Sequence, residues 1–303
     1  LYILLNGKGC FMKEYTTEFL RNVALVSHGG AGKTMLTEAF LHATGATTRL
    51  GKVEDGTAVS DYDDEEHRRR ISIYSSVIPI EHRDHKINVI DAPGYTDFVG
   101  EMISALSVAD GALIVVDAVA GIEVGTELAW RYADEFNLPR FFVINKMDRD
   151  NADFERTYAA IEEFVVAHGK RVVRVHIPIG EKQNFKGVVD VIGMKAYMGD
   201  GKVTAEIPPE LKEVAEAAHF AMVEDAAEGE DELMEKYLEN GSLTDAEMVR
   251  GLEDVVWAGQ FVPIFCAAGA REIGIIALLN DIIDLIPSPS NAPKRVAQGK
   301  DGE

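Results

Sequence analysis

The 303-residue sequence predicts an α/β fold: a doubly wound, mostly parallel sheet carrying an inserted α+β acidic subdomain. Three observations lead there. Short apolar runs alternate with helical patterns of about a dozen residues, the signature of buried strands joined by crossover helices. A glycine-rich octapeptide, Ser27-His28-Gly29-Gly30-Ala31-Gly32-Lys33-Thr34, stands between the first such run and a helical pattern. The alternation then breaks near residue 171, gives way to acidic helical stretches, and resumes at Pro263.

In chain order, the strand segments expected from apolar runs are 23–26, 71–80, 86–90, 112–116 and 141–144. Between them lie helical patterns at 33–43, 97–108, 123–136 and 154–168. A last strand at 263–266 and helix at 275–286 complete the sheet before Pro287-Ser288-Pro289-Ser290 stops the pattern. Segment 171–258 reads as the insertion, with short strands at 172–179, 187–191 and 195–198. Amphipathic acidic helices follow at 210–227, 231–238 and 245–257, the last opening on Thr244-Asp245-Ala246-Glu247, a capping-box spacing. The sheet domain is therefore expected over 12–170 and 259–290. Residues 1–11 are expected to be an upstream extension, with Met12 the natural start, and 291–303 a polar linker to further domains.

The octapeptide is a phosphate loop (P-loop) in all but its first residue, where Ser27 replaces glycine. A strand ending in such a turn and opening a helix aims several backbone N–H groups and the positive end of a helix dipole at one point. A phosphate chain suits that point. Lys33 would reach the outer phosphates as a point charge, and the Thr34 hydroxyl would hold Mg²⁺. A glycine-rich turn with a surface lysine is the competing structural reading, and the order strand, turn, helix outweighs it.

Asp91-Ala92-Pro93-Gly94 follows the strand at 86–90, at the end where open α/β sheets bind ligands. There Asp91 is placed to serve the Mg²⁺ shell, and Gly94 lets a backbone N–H approach a terminal phosphate. Asn145-Lys146-Met147-Asp148 follows a further buried strand. The Asp148 carboxylate can accept two parallel hydrogen bonds from N1–H and N2–H₂ of guanine, an edge that adenine lacks. Asn145 can tie this loop to the P-loop, and the Lys146 stem can cover the base. Each motif alone is an ordinary turn; in this order they point to a guanine nucleotide, GTP or GDP.

Bulk properties agree with a compact α/β protein: 47% apolar residues, but no long uncharged apolar stretch to span a membrane. Two cysteines, Cys10 and Cys266, and no export signal fit a reducing cytoplasm. The net charge of −21 is concentrated in 206–254, where 16 acidic residues face three basic ones. Phosphate repels such a block, which argues against general nucleic-acid binding there. A solvated helical face or a docking surface for a basic protein remain open.

Several stretches resemble bacterial elongation factor G: Phe19-Leu20-Arg21-Asn22-Val23-Ala24-Leu25-Val26 ahead of the P-loop, Asp91-Ala92-Pro93-Gly94-Tyr95-Thr96-Asp97-Phe98, Asn145-Lys146-Met147-Asp148-Arg149, and Glu232-Leu233-Met234-Glu235-Lys236-Tyr237-Leu238. The likeness runs from about Met12 to Pro289 and covers only that family's first domain, a GTPase domain with an inserted subdomain. It implies a P-loop at Ser27–Thr34, switch I over 51–73 and switch II from Asp91. Guanine would be read by Asn145, Lys146 and Asp148, with the Cys266-Ala267-Ala268-Gly269 turn behind the base. It further implies Mg²⁺ held by Thr34, Ser72 and Asp91, hydrolysis supported by Lys33, Gly94 and residue 95, and a ribosomal partner. The acidic insertion at 206–254 would meet the ribosomal stalk. The isolated domain is expected to be monomeric, and switch I, long and polar, to be mobile without GTP.

Departures from the family pattern are specific. Tyr95 stands where the family usually has the histidine that positions the attacking water; a phenol can orient water but is a poor base near neutrality. Ser72 replaces the switch I threonine and keeps its hydroxyl. His67-Arg68-Arg69-Arg70 replaces acidic and glycine residues, Gly30 an aspartate, and Ala268-Gly269 a Ser-Ala pair. The leading expectation is a ribosome-associated GTPase of translocation or recycling type. The alternatives are a nucleotide-gated ribosome-binding switch that hydrolyses little, or a ribosomal protection or release-factor GTPase.

Overall fold

The computed structural model describes residues 13–291, so the expectations for 1–11 and for 292–303 lie outside the described residues. The elements in chain order are β1 (Leu20–Val26), α1 (Lys33–Ala43), α2 (Asp64–Arg69), β2 (Ser76–His82), β3 (His85–Asp91), α3 (Val99–Leu106), β4 (Gly111–Asp117), α4 (Val124–Glu135), β5 (Arg140–Asn145) and α5 (Phe154–Ala167). Next come β6 (Arg171–Arg174), β7 (His176–Ile179), β8 (Gly187–Asp190), β9 (Lys195–Met198), β10 (Thr204–Ala205), α6 (Pro209–Ala227), α7 (Asp231–Asn240), α8 (Asp245–Trp257), β11 (Phe261–Cys266) and α9 (Ile275–Leu285).

A seven-stranded sheet in the order β2-β3-β1-β4-β5-β11-β6 forms the centre, and β2 alone is antiparallel to its neighbour. The central strands read as unbroken apolar runs because both faces are covered. In β4, Leu113 and Val115 enter one core with Phe40 of α1 and Leu279 of α9. Ile114 and Val116 enter the other, with Leu106 of α3, Trp130 of α4 and Ile161 of α5. A second sheet, β10-β9-β8-β7, belongs to the insertion. Its Ile177 and Val189, with Ala226 of α6 and Leu252 of α8, continue the first core without a break.

Two sequence expectations need correction. Segment 172–179 is two strands: β6 pairs in parallel with β11 in the main sheet, whereas β7 opens the small one. Val175 is the hinge, its N–H donating to Ile264 O at 3.1 Å while its carbonyl accepts from Val191 N at 2.9 Å. Apolar residues alternate with Arg174 and His176 on either side of this point as within one strand, so hydropathy cannot show the change of sheet. The strand expected at 71–80 begins only at Ser76, because the N–H groups of Ile73 and Tyr74 donate to Glu66 Oε1 at 2.8 and 3.0 Å.

Within 51–73, the segment that the family resemblance implies as switch I, lies the short helix α2. Asp63 caps that helix by accepting from Glu65 N at 2.8 Å, acidic residues fill its first turn and basic ones its last, and Arg70 ends it at φ 60°. Both charge placements complement the helix dipole.

Candidate nucleotide-binding site

β1 lies between β3 and β4, so connections leave it in opposite directions and open a crevice at its carboxyl end, the usual ligand position of such sheets. The P-loop occupies it. Gly30 and Gly32 adopt φ of +86° and +97°, a left-handed backbone that favours glycine, and α1 begins at Lys33.

Lys33 is buried, and its Nζ donates to Ser27 Oγ at 2.9 Å; Ser27, the departure from the strict motif, thus anchors the lysine. Burial pulls the ammonium down to about 8, partly offset by the Asp91 carboxylate, and pushes Asp91 up to about 6, opposed by Lys33.

Gly94 lies hard against this loop. A methyl group there would meet Lys33 Nζ and sit 2.8 Å from Gly29 N and from His28 C. Tyr95 is 44% exposed, and its ring covers Gly29: a methyl on Gly29 would lie 3.1 Å from Tyr95 Cε1. His28 turns the other way, its Nδ1 accepting from Gly125 N at 3.2 Å.

The residues expected to hold metal converge. Thr34 Oγ1 is 3.1 Å from Ser72 Oγ, Ser72 Oγ donates to Asp61 Oδ1 at 2.7 Å, and Ser60 Oγ donates to Asp91 Oδ2 at 2.9 Å. The other Asp91 oxygen, Oδ1, is buried and has no hydrogen-bond partner among the described residues. Among those residues no cluster of three or more His, Cys, Asp or Glu could hold a metal. The donors are therefore mixed hydroxyl and carboxylate oxygens, a hard set that fits Mg²⁺ completed by water and phosphate.

Asn145 joins three loops. Its Nδ2 donates to Ala31 O at 3.1 Å, and its Oδ1 accepts from Gly269 N at 3.1 Å. Lys146, at φ 61°, donates to Asp117 Oδ2 at 2.7 Å and contacts Gly30 O. Asp148 lines a cavity of about 420 Å³ with Val119, Arg149, Asp150, Asn151 and Gln183. Cys266, Ala267 and Ala268 are fully buried, backbone as well as side chain, so these three residues support the site from behind. Ala267 N donates to Ile144 O at 2.9 Å, and Ala267 O accepts from Met147 N at 3.3 Å, holding the turn beside the Asn145 loop.

Sequence reasoning missed Ser60, Asp61, Glu66 and Asp117. Asp117 ends β4 as Asp91 ends β3, a positional signal that was available. The other three lie in a polar stretch without periodicity.

A crevice at the sheet's switch point, a P-loop with a buried lysine and a facing cluster of hydroxyl and carboxylate oxygens define the fold and site of a P-loop nucleotide-binding protein. The family model described as Elongation factor Tu GTP binding domain matches residues 18–288. The chain belongs to this family of translational GTPases and is similar to elongation factor G. It is 40% identical over 279 residues to elongation factor G of Thermotoga neapolitana, covering 90% of this chain and 40% of that protein. Identity is also 40% over 290 residues to elongation factor G of Thermotoga petrophila, covering 93% and 41%. A solved protein from Thermus thermophilus superposes with a TM-score of 0.82 at 39% identity, covering 90% of this chain and 41% of that one. The chain thus spans about two fifths of the length of the relatives it matches. Among the described residues no helix is long and apolar enough to cross a membrane.

Proposed function

We propose that this chain binds and hydrolyses GTP with Mg²⁺ and acts on the ribosome as part of a translation elongation factor. The observation that carries the reading is the meeting of the P-loop, the Asp91–Gly94 turn and the Asn145 loop at one end of β1. Lys33 neutralises charge on the outer phosphates, and the Gly94 backbone N–H approaches the terminal one, so catalysis is positioning and charge stabilisation. Thr34, Ser72 and Asp91 would hold Mg²⁺, which supplies charge neutralisation to the phosphates. Asp148 accepts from the guanine edge, with Asn145 and Lys146 fixing the loop beneath.

The same reading makes switch I and the Asp91 turn the parts that respond to the γ-phosphate, since Ser72 and Gly94 both touch P-loop residues. It assigns the acidic surface of 206–254 to the ribosomal stalk, and residues 12–174 with 259–290, β6 included, to the nucleotide-binding domain. Its place is the cytoplasm, where ribosomes work.

A second reading has a specific observation behind it. Tyr95 covers the P-loop at Gly29 but offers no basic nitrogen, which favours a nucleotide-gated ribosome-binding switch with little hydrolysis. Phosphate release from GTP, measured with and without ribosomes beside Tyr95→His, separates the two. Strong ribosome stimulation of the unmodified protein supports the enzyme; stimulation only after the substitution supports the switch.

A further inference from the structure

Where the chain leaves the main sheet at Val175, one hydrogen bond of the β6–β11 ladder is diverted. Ile264 O still accepts from Val175 N. The next rung would join Cys266 N to Val175 O, but that carbonyl is taken by Val191 N of the insertion at 2.9 Å. Cys266 N–H turns instead to a side chain, donating to His176 Nδ1 at 3.3 Å. Cys266 O lies at the same 3.3 Å from Nδ1, so the tautomer follows from which backbone group the ring serves: with Nδ1 accepting from Cys266 N, the proton lies on Nε2, 2.7 Å from Asp281 Oδ2. His176 is 0% exposed and Asp281 2%, and the ring packs edge-on against Phe265 at 5.2 Å between centroids. Burial also drives the imidazole down to about 4, which keeps it in the neutral form that this bond requires.

Cys266 is the last residue of β11, and the backbone it begins is the turn that stands behind the nucleotide base. Three residues on, Gly269 N donates to Asn145 Oδ1, and Asn145 Nδ2 donates to Ala31 O in the P-loop. A continuous line of bonds therefore runs from Asp281 on α9, through His176 on the first strand of the insertion, into the base-side turn and on to the phosphate side. A substitution that removed only the ring would leave the Cys266 N–H buried and unpaired at the root of that turn, a cost that favours local shift of the backbone.

We infer that His176 is a positioning residue for guanine recognition, with its Nδ1 fixing the Cys266–Gly269 turn and Asp281 fixing the ring. This rests on the nucleotide reading above. The insertion thereby holds part of the base site in place through one side chain, and the Lys146 and Asp148 contacts then act on a base whose far edge is already set.

The test compares GDP and ADP binding to the full chain in four forms: unmodified, His176→Leu, His176→Asn and Asp281→Leu. Loss of one positioning hydrogen bond should raise the GDP Kd of His176→Leu about tenfold and leave weak ADP binding unchanged, so the GDP-to-ADP preference falls by that factor. His176→Asn, whose carboxamide oxygen can accept from Cys266 N–H, should restore most of the preference. Asp281→Leu frees the ring and should fall between. Thermal melts of all four separate loss of folding from loss of preference. If His176→Leu does not fold, the same contrast is read between His176→Asn and Asp281→Leu. Unmodified protein that prefers GDP, with variants that keep the full preference, overturns the role of His176. Unmodified protein with no GDP preference overturns the guanine reading itself, and the role of His176 with it.

Discussion

Asn145 and Gly269, 124 positions apart, are joined by a 3.1 Å hydrogen bond from the glycine N–H to the asparagine Oδ1. The other end of the same side chain donates to Ala31 O, so one carboxamide spans the base turn, its own loop and the P-loop. Its burial, at 1% exposure, explains why the arrangement is rigid: each polar atom is satisfied by protein and none by bulk water. Asn145→Ala removes these bonds together. GDP affinity is expected to fall about 30-fold, at about 1 kcal/mol per bond, as isothermal titration would measure. A loss under threefold would show that the loops hold without the carboxamide.

Gly94→Ala places a methyl where Lys33 Nζ and the backbone at His28 and Gly29 already lie. Because that contact involves backbone, the switch II turn must move away from the phosphate end. Phosphate release is expected to drop about 100-fold, the usual loss for one backbone donor to a developing charge, while GDP binding stays close to normal. Single-turnover hydrolysis beside GDP titration reads both quantities.

Glu66 is fully buried and accepts four backbone N–H groups, Tyr62 and Asp63 at Oε2 and Ile73 and Tyr74 at Oε1. It is what draws both ends of α2 together and sets Ser72 opposite Thr34. Glu66→Ala leaves those donors unpaired, and a loss of about 3 kcal/mol in local stability is expected. Limited proteolysis should then cut within 51–73 much faster than in the unmodified chain. Equal cleavage rates would remove Glu66 from the account of switch I order.

Two buried charges give the nucleotide affinity opposite pH limits. Lys33, lowered by burial to about 8, is cationic below that value and neutral above it, so phosphate binding weakens as pH rises through about 8. Asp91, raised by burial to about 6, is anionic above that value, so any Mg²⁺-dependent gain in affinity fades as pH falls through about 6. GDP titrations across roughly pH 5 to 9.5, with and without Mg²⁺, should show a plateau between the two limits. A flat profile above pH 8 would mean that the lysine keeps its charge.

The sequence by itself determined the crevice and the three turns that meet at it. A glycine turn between strand and helix, an Asp-x-Pro-Gly turn and an Asn-Lys-x-Asp turn each follow a buried strand, and parallel sheets put such turns at one edge. These signals are local, carried by dihedral demands and hydrophobic periodicity, and so they survive in a one-dimensional reading. Only the tertiary structure decided that β6 belongs to the main sheet and β7 to the insertion, because the alternating pattern around Val175 reads the same in either sheet. Only it decided that Glu66 organises switch I and that His176 replaces a lost ladder bond. Those roles belong to polar groups whose partners lie far along the chain, and a buried carboxylate or imidazole acquires its purpose from what surrounds it after folding.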